Sequence, residues 1–399
     1  MAQPIKKFLQ RGTMTGELPK TASIVVIGGG VMGASCAYHL ALAGASDVVL
    51  LEREPHFGQG ATGRCAGGVR YQFATEVNVR LSIASLAMLE HFEDETGQDP
   101  SYRQCGYLFV LTRSEDVATF KHNVDMQHRL GVGVQWMSGD DLRRRLPKMR
   151  FEDALGGTFH SKDGLADPNS VVMGYINTGK RLGVRAMTDV DVTGIQVRHS
   201  HIAAVETKDG TIGCEHVINA AGPWAGLIGK MAGVEIPIAP VRRQMLTTTP
   251  LPSLPPDFPF VIDFAQSLYF HREGEGILTG MSNPSEEPGF DQSIDTEWEI
   301  VAMQAAADRL PMLEQAGRLS HWAGLYEVTP DAHPIFGETP VEGFWIVAGF
   351  SGHGFMHGPI SGKLMAEFIL QGESKTVDVS QLDLARFVEG RLIREYNVV

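Results

Sequence analysis

Residues 23–52 constrain the fold more than any other part of this chain. Ser23-Ile-Val-Val-Ile27 is a β-branched run without alternation, as expected of a parallel strand covered on both faces. It leads directly into Gly28-Gly29-Gly30-Val31-Met32-Gly33, then the helix-compatible stretch 34–43, then a second strand, Val48-Val-Leu-Leu51, ending in Glu52. The glycines are spaced GxGxxG, and the acid follows the third glycine by 52 − 33 = 19 residues. Each element has a mechanical reason: Gly28 permits the sharp turn, Gly30 lets backbone approach a pyrophosphate, and Gly33 lets helix and strand pack closely. The helix N-terminus offers unpaired N–H groups and partial positive charge to phosphates. Glu52 is placed to accept hydrogen bonds from ribose hydroxyls, and its charge disfavours a 2′-phosphate. The segment therefore reads as a dinucleotide-binding βαβ unit.

The next residues choose between nucleotides. Arg53 to Arg70 form a long loop of small residues punctuated by arginines, including Thr62-Gly63-Arg64-Cys65-Ala66-Gly67. A nicotinamide domain usually continues directly into a helix. A loop of this kind suits an extended flavin dinucleotide, with Arg64 near pyrophosphate or flavin oxygens. Val217-Ile-Asn-Ala-Ala-Gly-Pro-Trp224 is another apolar strand running into a small-residue turn. Phe344-Trp-Ile-Val-Ala-Gly-Phe-Ser-Gly-His-Gly-Phe355 is a third, feeding Gly358-Pro359 and a helix expected over 360–370.

Charge and cysteine usage narrow the partners and compartment. The 399 residues carry 34 Lys and Arg against 47 Asp and Glu, a net charge of −13. With no dense basic cluster, this argues against nucleic acid as a partner. Cys36, Cys65, Cys105 and Cys214 are never in a CxxC pair, and the histidines lack ligand spacing. No metal site or disulfide framework is expected, and the chain reads as cytoplasmic. Residues 1–20 lack the apolar core of a signal peptide, and the uncharged stretch 24–46 is interrupted by Gly28-Gly29-Gly30, so no membrane span is expected.

Together the motifs GGGVMG, TGRCAGGVR, VINAAGPWA, YEVTPDAHPIFG and GFSGHGFMHGP resemble the D-amino-acid oxidase superfamily of FAD enzymes, most closely its sarcosine oxidase-like branch, over essentially the whole chain. The resemblance implies an α/β (α+β) fold: a discontinuous Rossmann-like FAD-binding domain from residues 20–98, 151–236 and 325–399, and an antiparallel-sheet substrate domain from 99–150 and 237–324. Tyr107–Thr112, Met245–Thr249, and Leu268–His271 hairpinned to Ile277–Thr279 read as strands of that sheet. Implied FAD contacts are Gly28, Gly30, Val31, Met32, Gly33, Glu52, Arg53, Thr62, Gly63, Arg64, Cys65, Gly67, Val192, Ala220, Gly222, Trp224, Gly352, His353, Gly354, Phe355 and Met356.

In such enzymes the flavin carries the redox chemistry and the protein anchors and orients the substrate. Arg70 aligns with a carboxylate-binding arginine of the branch, and its planar fork suits that task. Tyr326 matches an active-site tyrosine that donates to the carboxylate or walls the pocket. His353 matches the histidine of the GHG loop, where it tunes the flavin, assists amine deprotonation or is structural. Tyr269 and His271 rank lower, and strand alternation is expected to turn only one of them easily toward the pocket.

Three positions depart from the sarcosine oxidases of the branch. Gly324 replaces the cysteine that tethers FAD, so non-covalent binding is expected there. Met356, in the substrate wall, replaces a carboxylate-binding lysine, leaving Arg70 in need of another group. Leu278 or a neighbour replaces an oxygen-activating lysine, which brings a dehydrogenase into consideration beside an oxidase.

The expected function is FAD-dependent oxidation of the Cα–N bond of a small secondary or N-substituted amino acid resembling sarcosine, proline or iminodiacetate. The imine then hydrolyses, and O2 or an electron-acceptor protein reoxidises the flavin. Two alternatives stand beside it: an FAD-dependent dehydrogenase of a 2-hydroxy acid or polyol phosphate, and a flavin-carrying subunit active only in a hetero-oligomer.

Overall fold

A computed structural model describes residues 17–398; most of the N-terminal segment read above for a signal peptide, residues 1–16, lies outside these. Two eight-stranded sheets organise the chain. In the first, Phe344–Ala348, Gly210–Asn219, Thr21–Ile27, Val48–Leu51 and Arg185–Met187 run parallel in that order. Antiparallel Ile335–Glu338 pairs with Phe344–Ala348 at one edge, and the hairpin of Val192–Arg198 and His201–Thr207 pairs along Gly210–Asn219. Val25, Val26, Val49 and Leu50 are fully buried, as a sheet covered on both faces requires.

Two helices of this layer differ from expectation at their starts. The first spans Val31–Leu42, beginning inside the glycine motif rather than at residue 34. The last spans Gly354–Gln371 and carries Pro359 in its interior. Gly-Pro reads locally as a breaker, but tertiary packing overrides it. The Ser35 hydroxyl donates to the Pro359 carbonyl at 3.0 Å. The two helices approach so closely that a Cβ on Gly362 would lie 2.3 Å from Ser35 backbone carbon.

The second sheet has the order Arg318–Val328, Ala239–Thr248, Gly276–Met281, Leu268–Glu273, Phe260–Asp263, Tyr107–Leu111, Gly156–His160 and Gln135–Met137. All neighbours are antiparallel except Phe260–Asp263 beside Tyr107–Leu111. The expected hairpin is present but longer on both sides, leaving only Gly274 and Glu275 in the turn. The strand expected over 245–249 is the end of a ten-residue strand, Ala239–Thr248. Two stretches lie across the domain boundaries drawn from the sequence: Gly156–His160 pairs into this second sheet, and Arg318–Val328 continues through the boundary at 324/325. Ladder pairing, which composition does not reveal, decides both.

One face of the second sheet buries Leu108, Val110, Val261, Leu268, Phe270 and Ile277 in its own core. The opposite face carries Tyr107, Phe260, Tyr269 and Met245. That face and the glycine turns of the first sheet enclose one long cavity.

Candidate active site

At the first-sheet end the cavity wall is backbone. Gly28 has φ +111°, and a Cβ there would sit 2.4 Å from the Ala220 carbonyl oxygen. A Cβ on Gly33 would sit 1.8 Å from the Gly28 carbonyl oxygen. Only glycine fits either position. Gly30 caps the first helix without a side-chain bond, while the Val31 N–H donates to Thr62 Oγ1 at 3.1 Å. Glu52 is held by its neighbours: Oε2 accepts from the Gly29 N–H at 2.6 Å and Oε1 from the Glu54 N–H at 2.8 Å. Burial pushes its carboxyl pKa up against the pull of those N–H groups and Arg53. Asn219 Oδ1 accepts from the Ala221 N–H at 3.3 Å, fixing the turn that carries Ala220 and Gly222. The Arg53 guanidinium lies 3.8 Å over the Trp224 ring.

The cofactor residues expected from the sequence line this cavity, with two exceptions, Gly33 and Gly63. Both are packing glycines; a Cβ on Gly63 would meet the Gly58 carbonyl oxygen at 2.3 Å. Arg64 lines the cavity but spends its guanidinium on backbone, with Nη1 donating to the Ala323 carbonyl at 2.8 Å and Nε to the Gln59 carbonyl at 3.3 Å. It ties the loop to the second sheet. A Cβ at Gly324 would come within 3.0 Å of Arg64 Cβ, so this tie also crowds the position where the resemblance places a tethering cysteine.

At the other end the wall is side chains. Across the register pairs Phe260↔Tyr107, Ile262↔Tyr269, Tyr269↔Gly280, Met245↔Gly280, Arg243↔Gly324 and Val241↔Tyr326, one sheet face presents Tyr107, Phe260, Ile262, Tyr269, Met245, Arg243 and Tyr326 to the cavity. Tyr107 and Phe260 stack at 4.1 Å. The Tyr269 ring crosses Gly280, where a Cβ would lie 2.5 Å from its hydroxyl oxygen. The expectation about Tyr269 and His271 needs correction: residues two apart share a strand face, so alternation does not choose between them. Tyr269 lines the cavity, whereas His271 stacks on Phe260 at 5.0 Å and lies outside the lining.

Arg70 is 3% exposed and follows the short strand Gly68–Val69. Its Nη2 donates to the Asn397 carbonyl at 2.7 Å, Nη1 donates to the Gln72 carbonyl, and its guanidinium lies 4.0 Å over Phe73. Burial lowers its pKa, but a guanidinium remains charged. Its remaining N–H groups are available to a ligand.

His353 is buried at the N-terminus of the Gly354–Gln371 helix, with its Nδ1 unpartnered and its ring 4.8 Å from Phe73. Burial, and secondarily Arg70, hold its pKa well below the usual range, so the imidazole is neutral. Tyr326 packs on the GHG loop, where a Cβ on Gly352 would lie 2.5 Å from Tyr326 Cε2. Met356 is buried in the lining. Leu278 is buried among the roof residues. The cations lining the cavity are Arg53, Arg64, Arg70 and Arg243, with no lysine among the described lining residues.

Arg243 and Glu327 are among the lining residues that sequence reasoning missed. Arg243 sits with its guanidinium 5.2 Å from the Tyr326 ring; Nη1 donates to the Arg242 carbonyl at 2.9 Å, and its buried Nε has no partner. Glu327 accepts the Phe350 N–H on Oε1 at 3.2 Å, while its buried Oε2 has no partner. Burial pushes its pKa up to about 7. Among the described residues, no group of three His, Cys, Asp or Glu could hold a metal ion.

An elongated ligand with phosphates, hydroxyls and a flat ring fits this lining: glycine-walled backbone and helix N-termini at one end, Glu52 beside them, and an aromatic roof with cations at the other. The site thus defines a dinucleotide-dependent redox protein of the two-sheet type. Residues 23–368 match the DAO family of FAD dependent oxidoreductases, and the chain belongs to it. FAD is its cofactor.

L-proline dehydrogenase from P. horikoshii is 33% identical, with a TM-score of 0.88 over 94% of this chain and 100% of that one. Rattus norvegicus mitochondrial dimethylglycine dehydrogenase is 30% identical over 92% of this chain and 45% of its own length. Homo sapiens mitochondrial sarcosine dehydrogenase is 31% identical over 93% and 42%. The chain therefore spans less than half the length of these two curated relatives. No described helix is long and apolar enough to cross a membrane.

Proposed function

We propose that this protein oxidises the Cα–N bond of a small secondary or N-substituted amino acid. The observation that carries this reading is the pair of arginines, Arg70 and Arg243, walling the same aromatic-roofed end of the cavity. Arg70 is held in place by two backbone carbonyls and offers its free N–H groups to the substrate carboxylate. Arg243, with its unpartnered Nε, supplies the second cation that Met356 cannot. Tyr326 lies against Arg243 and walls the carboxylate site. Tyr107, Phe260 and Tyr269 exclude water and hold the Cα–H in line. His353, held neutral, lines the same end with its Nδ1 unpartnered and can accept a hydrogen bond from the substrate amine, orienting the nitrogen lone pair.

FAD, when bound, accepts the hydride equivalent. The imine hydrolyses after release. The named relatives act on proline, dimethylglycine and sarcosine, which supports a secondary or tertiary amine carrying a carboxylate. Apolar Leu278, at the position where the resemblance places an oxygen-activating lysine, supports transfer of electrons to an acceptor protein or carrier over O2. The four free cysteines suit a reducing compartment such as the cytoplasm.

The test is an anaerobic panel of N-methylglycine, N,N-dimethylglycine, proline, iminodiacetate, D-amino acids and hydroxy acids, read by bleaching of the yellow flavin band, followed by admission of air. Bleaching by N-substituted amino acids with slow recovery in air is expected. Bleaching by hydroxy acids alone overturns the reading, and rapid recovery in air overturns its acceptor half.

A further inference from the structure

Tyr326 and Glu327 are adjacent on one strand and face opposite ways along the cavity. Tyr326 contacts Gly352 and Arg243 at the ring end. Glu327 points toward the nucleotide end: a Cβ on Gly222 would lie 3.4 Å from Oε2, and a Cβ on Gly354 would lie 3.6 Å from Oε1. Gly222 belongs to the turn that crosses Gly28, and Gly354 opens the helix Gly354–Gln371 beside Met32. Glu327 therefore lies between the glycine turns and the aromatic roof.

A buried carboxyl oxygen without a partner is costly, so the ligand that fills this stretch of the cavity should carry a hydrogen-bond donor. Phosphates do not supply one at neutral pH, and their charge opposes a carboxylate. Between its phosphates and its ring system FAD carries a polyhydroxylated ribityl chain, whose hydroxyls are donors. We infer that Glu327 Oε2 accepts a hydrogen bond from a ribityl hydroxyl of FAD, while Oε1 holds the Phe350 N–H of the GHG loop. Glu327 is in this sense a positioning residue, fixing the distance between the phosphates and the ring. The inference rests on FAD as cofactor and not on the identity of the substrate.

The test is a binding cycle without turnover. Apoprotein of the wild type, Glu327→Ala and Glu327→Gln is titrated with FAD and with FAD analogues each lacking one ribityl hydroxyl, and dissociation constants are read by flavin fluorescence. Leaving the ribityl hydroxyl without its buried acceptor is expected to weaken FAD binding by roughly ten- to hundredfold in Glu327→Ala. One deoxy analogue should bind the wild type with a comparable loss, yet bind Glu327→Ala about as well as FAD does. Equal losses for every analogue in wild type and variant would overturn the assignment, since the variant would then act only through the Phe350 contact. Should Glu327→Ala not fold, Glu327→Gln carries the same cycle: a smaller FAD loss, confined to ligands bearing the contacted hydroxyl, supports the inference, and a uniform loss overturns it.

Discussion

At one end of the cavity the wall is backbone, drawn together by glycines that tolerate no Cβ; at the other it is side chains, set by register on five strands of the second sheet. The backbone end can bind what every FAD presents, phosphates and ribose, and a substitution there removes space. In the proposed function the roof meets the substrate, and a substitution there removes a charge or a shape. That reading makes cofactor retention and substrate recognition separable by substitution.

The harshest way to sharpen that contrast is Gly33→Ala. Its Cβ meets a backbone oxygen that cannot yield without moving the turn. Loss of flavin from the purified protein and a destabilisation of roughly 3 kcal/mol or more are expected, read by absorbance and chemical unfolding. A yellow, equally stable variant would show that the turn adapts. Arg70→Lys should do the converse, raising KM for the amino acid roughly a hundredfold with little change in FAD affinity, because an ammonium cannot reproduce the fork. Matching losses of substrate and flavin would reassign Arg70 to the cofactor. Arg243→Met is expected to raise KM about tenfold, again with flavin retained, since it removes the half-buried cation of the pair. An unchanged KM removes it from the substrate site.

A smaller effect concerns Glu327 in the apoprotein. Its carboxyl is pushed up from 4.5 to about 7 by burial. The folded state then binds the proton more tightly than the unfolded chain, so stability present below about pH 4.5 is lost as pH rises through about 7. Relative to Glu327→Gln, the wild-type apoprotein should lose up to a few kcal/mol between pH 5 and 8 in denaturant titrations. Parallel curves would place the carboxyl in contact with water.

The same division explains what could be read from sequence. The nucleotide end is written locally: GGGVMG, the strands on either side and Glu52 sit within 30 residues and need little tertiary information. The roof is not. Arg242 and Arg243 are indistinguishable as neighbours in sequence, yet Arg242 pairs with Glu286 and Asp291 at 3.0 Å while Arg243 turns to the cavity. Pairing opposite Gly324 and Tyr326 decides which is which. The Asn397 contact to Arg70 uses a backbone carbonyl, so no side-chain type could announce it. Pro359 misplaced a helix start because close packing against Ser35 outweighs a local breaker.

In the proposed function Arg70 and Arg243 recognise a carboxylate beside the carbon to be oxidised. Anaerobic flavin reduction by the best amino acid of the panel, compared with reduction by its methyl ester, tests this directly. The arginine pair predicts that the ester reduces the flavin roughly a hundredfold less efficiently at limiting concentration. Reduction of the flavin by acid and ester with equal efficiency would contradict it.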